Sequence, residues 1–322
     1  MNDLPHLKLA HLPTPIEPLL RLSSRLGGPR LLVKRDDQTG LAFGGNKTRK
    51  LEFLLADAQA QGAKTLITAG AVQSNHCRQT AAAAAAYGMD CILVLAGEPP
   101  KHPSGNYLLD QLLGAEIVWG NWETRHQDLT AAFERARGAG RRPYLVPYGG
   151  SSPVGAAGYA YAIREMLEQN TSPDWIVFAS SSGGTQAGLV AGAALYGFNG
   201  KILGISIDEP EDVLKSRVAA LASDVAALLG SETAFSPEEI LVNAAYAAPG
   251  YGVLTDRERQ AIRLFAQTEG LLLDPVYTGR TAAGLIDLIQ RGFFGSNDAI
   301  LFWHTGGTPG LFAEKYRGVA EN

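Results

Sequence analysis

The stretch from Lys64 to Ala96, KTLITAGAVQSNHCRQTAAAAAAYGMDCILVLA, alternates structural types within 33 residues. A short apolar run over Lys64 to Ala69 reads as a strand and the Ala-rich segment Asn75 to Tyr87 as a helix. Cys91 to Ala96 reads as a second strand. Continuous apolar strands joined through a helix belong to a parallel sheet covered on both faces, because a one-faced sheet would show polar residues at every second position.

Working outward, the pattern repeats. Before this unit lies a strand at Arg30 to Arg35 and a helix that starts after Gly44-Gly45-Asn46-Lys47 and ends near Gly62. After it come helices around Tyr107 to Leu113 and Leu129 to Arg137, with strands at Glu116 to Trp119 and Tyr144 to Pro147. A long helix near Val154 to Gln169 opens a second alternating set. Its strands are Ile176 to Phe178, Ile202 to Ile205, Ile240 to Val242 and Ala299 to Trp303; its helices are Gln186 to Tyr196, Val213 to Leu229, Asp256 to Glu269 and Ala282 to Arg291. The chain is therefore expected to be α/β, with two open, mostly parallel sheets flanked by helices. Leu12-Pro13-Thr14-Pro15-Ile16-Glu17-Pro18 is too rich in proline for helix and is expected to run extended over a surface. Gly149-Gly150-Ser151-Ser152-Pro153 is the one turn cluster resembling a linker.

With 322 residues the chain can enclose a small-molecule pocket between two packed units. Its 28 basic and 32 acidic residues give a net charge of -4, which lacks the basic excess that phosphate backbones attract, so nucleic acid is not an expected partner. Met1-Asn2-Asp3-Leu4-Pro5-His6 is not a secretory leader and no apolar run reaches membrane-span length, so the expectation is a cytoplasmic protein without a membrane partner. Cys77 and Cys91 do not make a disulfide framework, and the six histidines form no HExxH pattern; no metal is expected.

Lys47 is the candidate for chemistry. Two glycines present it in the first turn of a helix whose apolar positions Leu51, Phe53, Leu54, Leu55 and Ala58 recur at helical spacing, and Asn46 is a favoured cap type. The positive helix end, Arg49 and Lys50 disfavour a second ammonium, and burial would lower the amine pKa further towards the neutral form that makes a Schiff base. A solvated lysine at a helix start is the plain alternative.

Three loops at strand ends could meet it, since open α/β sheets bind ligands outside the carboxyl ends of their strands. Ser180-Ser181-Ser182-Gly183-Gly184-Thr185 offers converging N–H groups, hydroxyls and a helix start, the makings of a phosphate cradle, though a strand-to-helix bend alone would also use glycines. Gln73-Ser74-Asn75-His76 opens the Ala-rich helix and offers donors to a carboxylate, or simply a cap. Tyr277, just before a helix, and Thr305, just after a strand, can turn polar tips to a ligand or serve core and turn. Neither GxxxxGK[ST] nor GxGxxG occurs, which disfavours nucleotides.

Taken together and in order, GGNKTRKLEF, the Gln73 to His76 loop, the Ser/Gly/Thr loop, Ala248-Pro249-Gly250-Tyr251-Gly252, DPVYTG and HTGG resemble the D-cysteine desulfhydrase and 1-aminocyclopropane-1-carboxylate deaminase family of pyridoxal-phosphate enzymes, of the tryptophan synthase β-like fold (fold type II). The resemblance runs from Leu12 to Gly307. It implies that Lys47 carries pyridoxal 5'-phosphate and moves the Cα proton. Ser182, Gly183, Gly184 and Thr185 then hold the phosphate, Asn75 the phenolic oxygen and Thr305 the pyridine nitrogen. Tyr277 lies against the ring and Tyr251 is a second active-site tyrosine. Gln73 and Ser74, beside Asn75, hold the substrate carboxylate, Ser74 also relaying a proton, while Thr278 faces the substrate. Gly183 stands where relatives often carry alanine. Deaminases of the family resemble one another in having glutamate where this chain has Thr278 and leucine where it has Thr305, which favours the desulfhydrase branch: β-elimination of D-cysteine to pyruvate, hydrogen sulfide and ammonia. The deaminase reaction, an L-cysteate sulfo-lyase reaction and non-catalytic binding of the cofactor or an amino acid are the alternatives. The resemblance further implies a homodimer. It also places a smaller domain at 48–159, inserted into a larger one made of 1–47 and 160–322.

Overall fold

The computed structural model describes residues 2–321. From the N-terminus the chain forms β1 (Ile16–Pro18), α1 (Leu20–Leu26), β2 (Arg30–Lys34) and α2 (Asn46–Ala60). It continues through β3 (Thr65–Ala71), α3 (Asn75–Ala86), β4 (Asp90–Ala96), α4 (Gly105–Leu112), β5 (Glu116–Gly120), α5 (Arg125–Gly138) and β6 (Pro143–Leu145). Then follow α6 (Pro153–Glu168), β7 (Trp175–Ser180), α7 (Gly184–Tyr196), β8 (Lys201–Ser206), α8 (Glu211–Leu228), β9 (Leu241–Asn243), α9 (Asp256–Glu269), α10 (Thr278–Gln290) and β10 (Ala299–Trp303).

Two sheets result, in the orders β1-β2-β10-β7-β8-β9 and β5-β4-β3-β6. Every pairing is parallel except β1 with β2, which is antiparallel. The α/β expectation therefore holds, with one correction: part of the proline-rich opening is an edge strand. Ile16 pairs with Lys34 and Pro18 with Leu32, and proline is tolerated there because an outer strand leaves one side of its backbone unpaired.

Apolar side chains fill both faces of each sheet. In the small sheet Leu66, Leu93 and Leu95 pack on α2 and α3, while the alternating Ile67, Ile92 and Val94 pack on Ala132 and Ala136 of α5. In the large sheet Val33, Ile300 and Phe302 meet α9 and α10 through Phe265 and Leu285, while Ile176, Phe178 and Leu301 meet α6 and α7 through Ile163 and Leu189. Helices α6 and α7 approach closely at Gly188, where a Cβ would stand 2.1 Å from the Ala156 carbonyl oxygen.

Both sheets reverse their strand order internally. From β3 the chain steps outward to β4 and β5, whereas β6 returns on the other side of β3; from β7 it steps to β8 and β9, whereas β10 and β2 lie on the far side. The reversals open crevices at the carboxyl ends of β3 and of β7 with β10. Ser74, Ser182 and Thr305 follow those three strands directly.

Candidate active site

The crevices meet in one cleft of about 640 Å³, part of it open to solvent. Lys47 stands on one side, Ser74 and Asn75 on a second, Ser182, Gly183 and Thr185 on a third, and Tyr277 and Thr305 close it.

The approach to Lys47 is built from backbone constraints. Gly44 and Gly45 have φ of 63° and 123°, and a Cβ on Gly44 would fall 2.2 Å from the Asp37 carbonyl oxygen. Only glycine allows both. Helix α2 then begins at Asn46, which corrects the reading of that residue as a cap: Asn46 Nδ2 donates to Thr185 Oγ1 at 3.0 Å and its Oδ1 accepts from Lys47 Nζ at 3.1 Å. Asn46 thus ties the lysine to the Ser/Gly/Thr loop. Burial, followed by the nearby Arg78 guanidinium and opposed by Asp274, lowers the Lys47 pKa to about 8. Expected pressure from Arg49 is replaced by pressure from Arg78, because Arg49 turns to the opposite side of α2 and is neutralised by Asp36 and Glu165.

The Ser/Gly/Thr loop has the geometry of an anion cradle. Gly183 is left-handed at φ 85° and Gly184 starts the 13-residue α7. Ser151 Oγ accepts from the Gly184 N–H at 3.2 Å and lies 2.8 Å from Ser182 Oγ. The Ser151 region, which resembles a linker in sequence, is therefore a wall of the cradle. Behind it lies Lys50, fully buried, whose Nζ donates to the Gly149 carbonyl at 3.1 Å and forms no salt bridge among the described residues. Burial first, and Lys47 second, hold its pKa well below the usual lysine range. A Cβ on Gly184 would come within 2.4 Å of Ser151 Oγ and 2.9 Å of Lys50 Nζ, so the space is kept for something that hydrogen-bonds these groups. Glycine N–H groups, hydroxyls, a helix start and a buried lysine amine that an anion would help to protonate together fit a phosphate. Sequence reasoning took Lys50 only as part of a positive helix end.

Opposite, Ser74 caps α3, its Oγ accepting from Cys77 N at 3.2 Å, and the His76 ring lies 2.9 Å from Thr68 Oγ1. Asn75 lines the cleft. The Gln73 side chain turns away: Nε2 donates to the Ser104 carbonyl and Oε1 accepts from Asn106 N. Thr278 is likewise engaged elsewhere, its hydroxyl donating to Asp274 Oδ1 and accepting from Asp274 N. Asp274 also accepts from the N–H groups of Val276, Tyr277 and Thr278 and so shapes the turn that presents Tyr277.

The Tyr277 and Tyr251 hydroxyls lie 2.7 Å apart. Burial raises both phenol pKa values well above the ordinary range, so both stay protonated near neutrality. Tyr251 borders a neighbouring groove that also holds Trp122 and Arg125, and the Trp122 and Tyr251 rings meet edge to face at 5.9 Å across the two sheets. Arg280, buried against Glu258, donates to the carbonyls of Ile207, Ala247, Gly250 and Val253 and thereby pins the loop that carries Tyr251.

A reactive amine, a phosphate cradle and a neutral phenol backed by a second one, around one cleft between parallel sheets, define an α/β enzyme built for a phosphorylated carbonyl cofactor. The family model described as pyridoxal-phosphate dependent enzyme matches residues 7–306, and the chain belongs to that family. It is 43% identical to the D-cysteine desulfhydrase of Salmonella newport (strain SL254), with 97% of each chain covered. Among solved structures it is similar to one described as an ACC deaminase homologue, at 40% identity and a TM-score of 0.89, covering 98% of this chain and 97% of that one. The processed form of threonine deaminase isoform 2 from Solanum lycopersicum shares the fold at 19% identity and a TM-score of 0.65, covering 91% and 79%. The fold is thus the fold type II arrangement that the sequence motifs resemble.

Proposed function

We propose that the protein eliminates hydrogen sulfide from D-cysteine, leaving pyruvate and ammonia. The observation that carries this reading is the Lys47 amine, lowered to about 8 and held by Asn46 beside an anion cradle, in a cleft that the protonated Tyr277 also lines. The full-length likeness to D-cysteine desulfhydrases supports it.

Pyridoxal phosphate, when bound, supplies a carbonyl carbon that condenses with amines and a conjugated ring that accepts the electron pair left at Cα. Ser182, Gly183, Gly184 and Thr185 with Lys50 would hold its phosphate, Asn75 its phenolic oxygen and Thr305 its pyridine nitrogen, and Tyr277 would lie against the ring. The chain's own groups do the rest. Lys47, neutral for part of the time near neutrality, takes the Cα proton. Ser74 and the N-terminal N–H groups of α3 face the substrate carboxylate, with Gln73 fixing their loop. Tyr251 or Tyr277 gives a proton to the sulfur leaving Cβ, the other phenol stabilising the oxygen left behind through the 2.7 Å contact. Thr278 acts through Asp274, which sets the Tyr277 turn.

Sulfide and pyruvate release is the test, with D-cysteine, L-cysteine, L-cysteate and 1-aminocyclopropane-1-carboxylate supplied in parallel. Equal sulfide and pyruvate from D-cysteine, lost roughly a thousandfold or more in Lys47→Ala, is the expected result. A keto acid from another of the four with D-cysteine inert would reject the desulfhydrase reading. The same reading divides the chain into a smaller domain at 48–159 and a larger one from both flanks. The small sheet, whose strands lie between Thr65 and Leu145, supports it, and proteolytic separation of the two units would test it. A cytoplasmic homodimer is the assembly the resemblance carries, tested by mass in solution and by cell fractionation.

A further inference from the structure

We infer that Asn106 is a positioning residue for the site, the one that fixes which end of the Asn75 amide faces the cleft. Asn106 is the second residue of α4, fully buried, outside the lining of the cleft. It is reached only because Gly105 lets the chain pass close: at φ 57°, a Cβ there would stand 2.5 Å from Gln73 Oε1.

The argument is one of donors and acceptors. Asn106 Nδ2 lies 2.9 Å from the backbone carbonyl oxygen of Gln73 and 2.9 Å from the side chain of Asn75. A backbone carbonyl can only accept, so the Asn106 atom that faces it must be the amide nitrogen. The second proton of that nitrogen points at Asn75, so the Asn75 atom it meets must be Oδ1. An amide cannot present both ends in one direction. Asn75 therefore turns Nδ2, a double donor, into the cleft. The other end of Asn106 tells the same story: its Oδ1 is buried with no hydrogen-bond partner, so what the fold retains in Asn106 is the NH2 group. One carbonyl thus sets the polarity of two amides in series, and the cleft meets a donor suited to an oxyanion where a freely rotating asparagine would offer either end.

This rests on the proposed role of Asn75 towards the cofactor's phenolic oxygen, and the test separates the two. The holoenzyme is titrated with pH while the absorption bands of bound pyridoxal phosphate are followed, in the parent, Asn75→Ala, Asn106→Asp and the double variant. A donor to the anionic oxygen favours the deprotonated cofactor, so its loss should raise the midpoint. Aspartate keeps the shape of Asn106 and replaces the NH2 group by an acceptor, which turns the Asn75 Oδ1 towards the cleft. Asn106→Asp should raise the midpoint by about one pH unit, a tenfold change in the protonation equilibrium. Asn75→Ala should shift it in the same direction, and the double variant should shift no further than Asn75→Ala alone. If Asn106→Asp folds poorly, Asn106→Ala carries the comparison, with a smaller shift because Asn75 is then free to rotate. A shift in Asn75→Ala with none in the Asn106 variants would overturn the positioning role and leave Asn75 in place. Additive shifts in the double variant would also overturn it, since Asn106 would then act by another route. An unmoved midpoint in Asn75→Ala would remove both.

Discussion

Helix α2 carries two sets of buried cations on opposite sides, and they are treated in opposite ways. On one side Arg49 donates to both oxygens of Asp36 and both of Glu165, while Lys34 also bonds Glu165. Asp36 accepts further from Thr14, Tyr159 and Trp303, so this cluster is closed. On the other side Lys47 and Lys50, three apart and hence on one face, have no carboxylate hydrogen-bonded to them among the described residues, and Arg78 nearby spends a single N–H on the Gly44 carbonyl. Closed clusters anchor; open ones await a counter-charge. The first fixes α2 to the large sheet, and the second makes the adjoining cleft a place where an anion and a nucleophilic amine are both favoured.

The sharpest way to break the comparison is to remove one charge from each set. Arg49→Met leaves Asp36 and Glu165 short of their main partner and should destabilise the protein by about 3–5 kcal/mol, read from chemical denaturation. Lys50→Met removes a buried amine that has no carboxylate partner among the described residues and whose charged form burial penalises. The protein stripped of cofactor should become more stable, by about 1–2 kcal/mol, while its dissociation constant for pyridoxal phosphate rises about tenfold or more. If both substitutions destabilise alike, the distinction between the two sets fails.

Acid and base sharpen it further. Asp36, where the guanidinium of Arg49 overcomes the effect of burial, has its pKa lowered to about 2. Its contribution is complete above the unfolded value near 4 and disappears as pH falls through 2. Lys47 has a lowered pKa as well, but as a base: its burial penalises the protonated form, so cofactor-free protein should gain stability as pH rises from about 8 towards the unfolded lysine value. Denaturation midpoints across pH 2 to 10 check both limbs.

The smallest expected effect belongs to Asp110, buried near Arg78 with neither carboxylate oxygen hydrogen-bonded. Burial raises its pKa to about 8 against the opposing pull of Arg78, so it is mostly protonated at neutrality. Asp110→Asn should change stability by less than about 0.5 kcal/mol near pH 4, where the ionised form hardly contributes. The parent loses stability as pH rises from the unfolded carboxyl value near 4 to about 8 and loses no more above it, so the variant should gain on the parent across that window and hold a constant lead beyond it in the same denaturation assay.

How far these features could be read in the sequence depends on whether local pattern or tertiary packing decides them. Strands such as Ile92 to Leu95 are apolar on both faces and declare a covered sheet by themselves. So do the glycines before Lys47 and in the Ser/Gly/Thr loop, because a backbone that no other residue can follow needs glycine. Short β1, with Pro15 before it and Pro18 inside it, gives no periodic signal, and α1, seven residues long, stayed hidden for the same reason. Asn46 has the composition of a cap and is used as a tether between α2 and Thr185. Lys50, Arg78 and Asn106 sit in ordinary helical pattern; only the packing of α2, α3 and α4 buries them and gives them their roles. Ser151 fell in a turn cluster whose composition suits a linker equally well.

Strand β10 sits inside the large sheet, between β2 near the start of the chain and β7 in its middle. Its register runs Ala299 to Arg30 and Ile300 to Trp175, and Thr305 follows it directly into the cleft. During synthesis β2 and β7 therefore remain unjoined until the last part of the chain has emerged, and the cleft has no closing wall before that moment. A chain cut before β10 should therefore bind pyridoxal phosphate more weakly than the full chain, because it lacks the Thr305 wall.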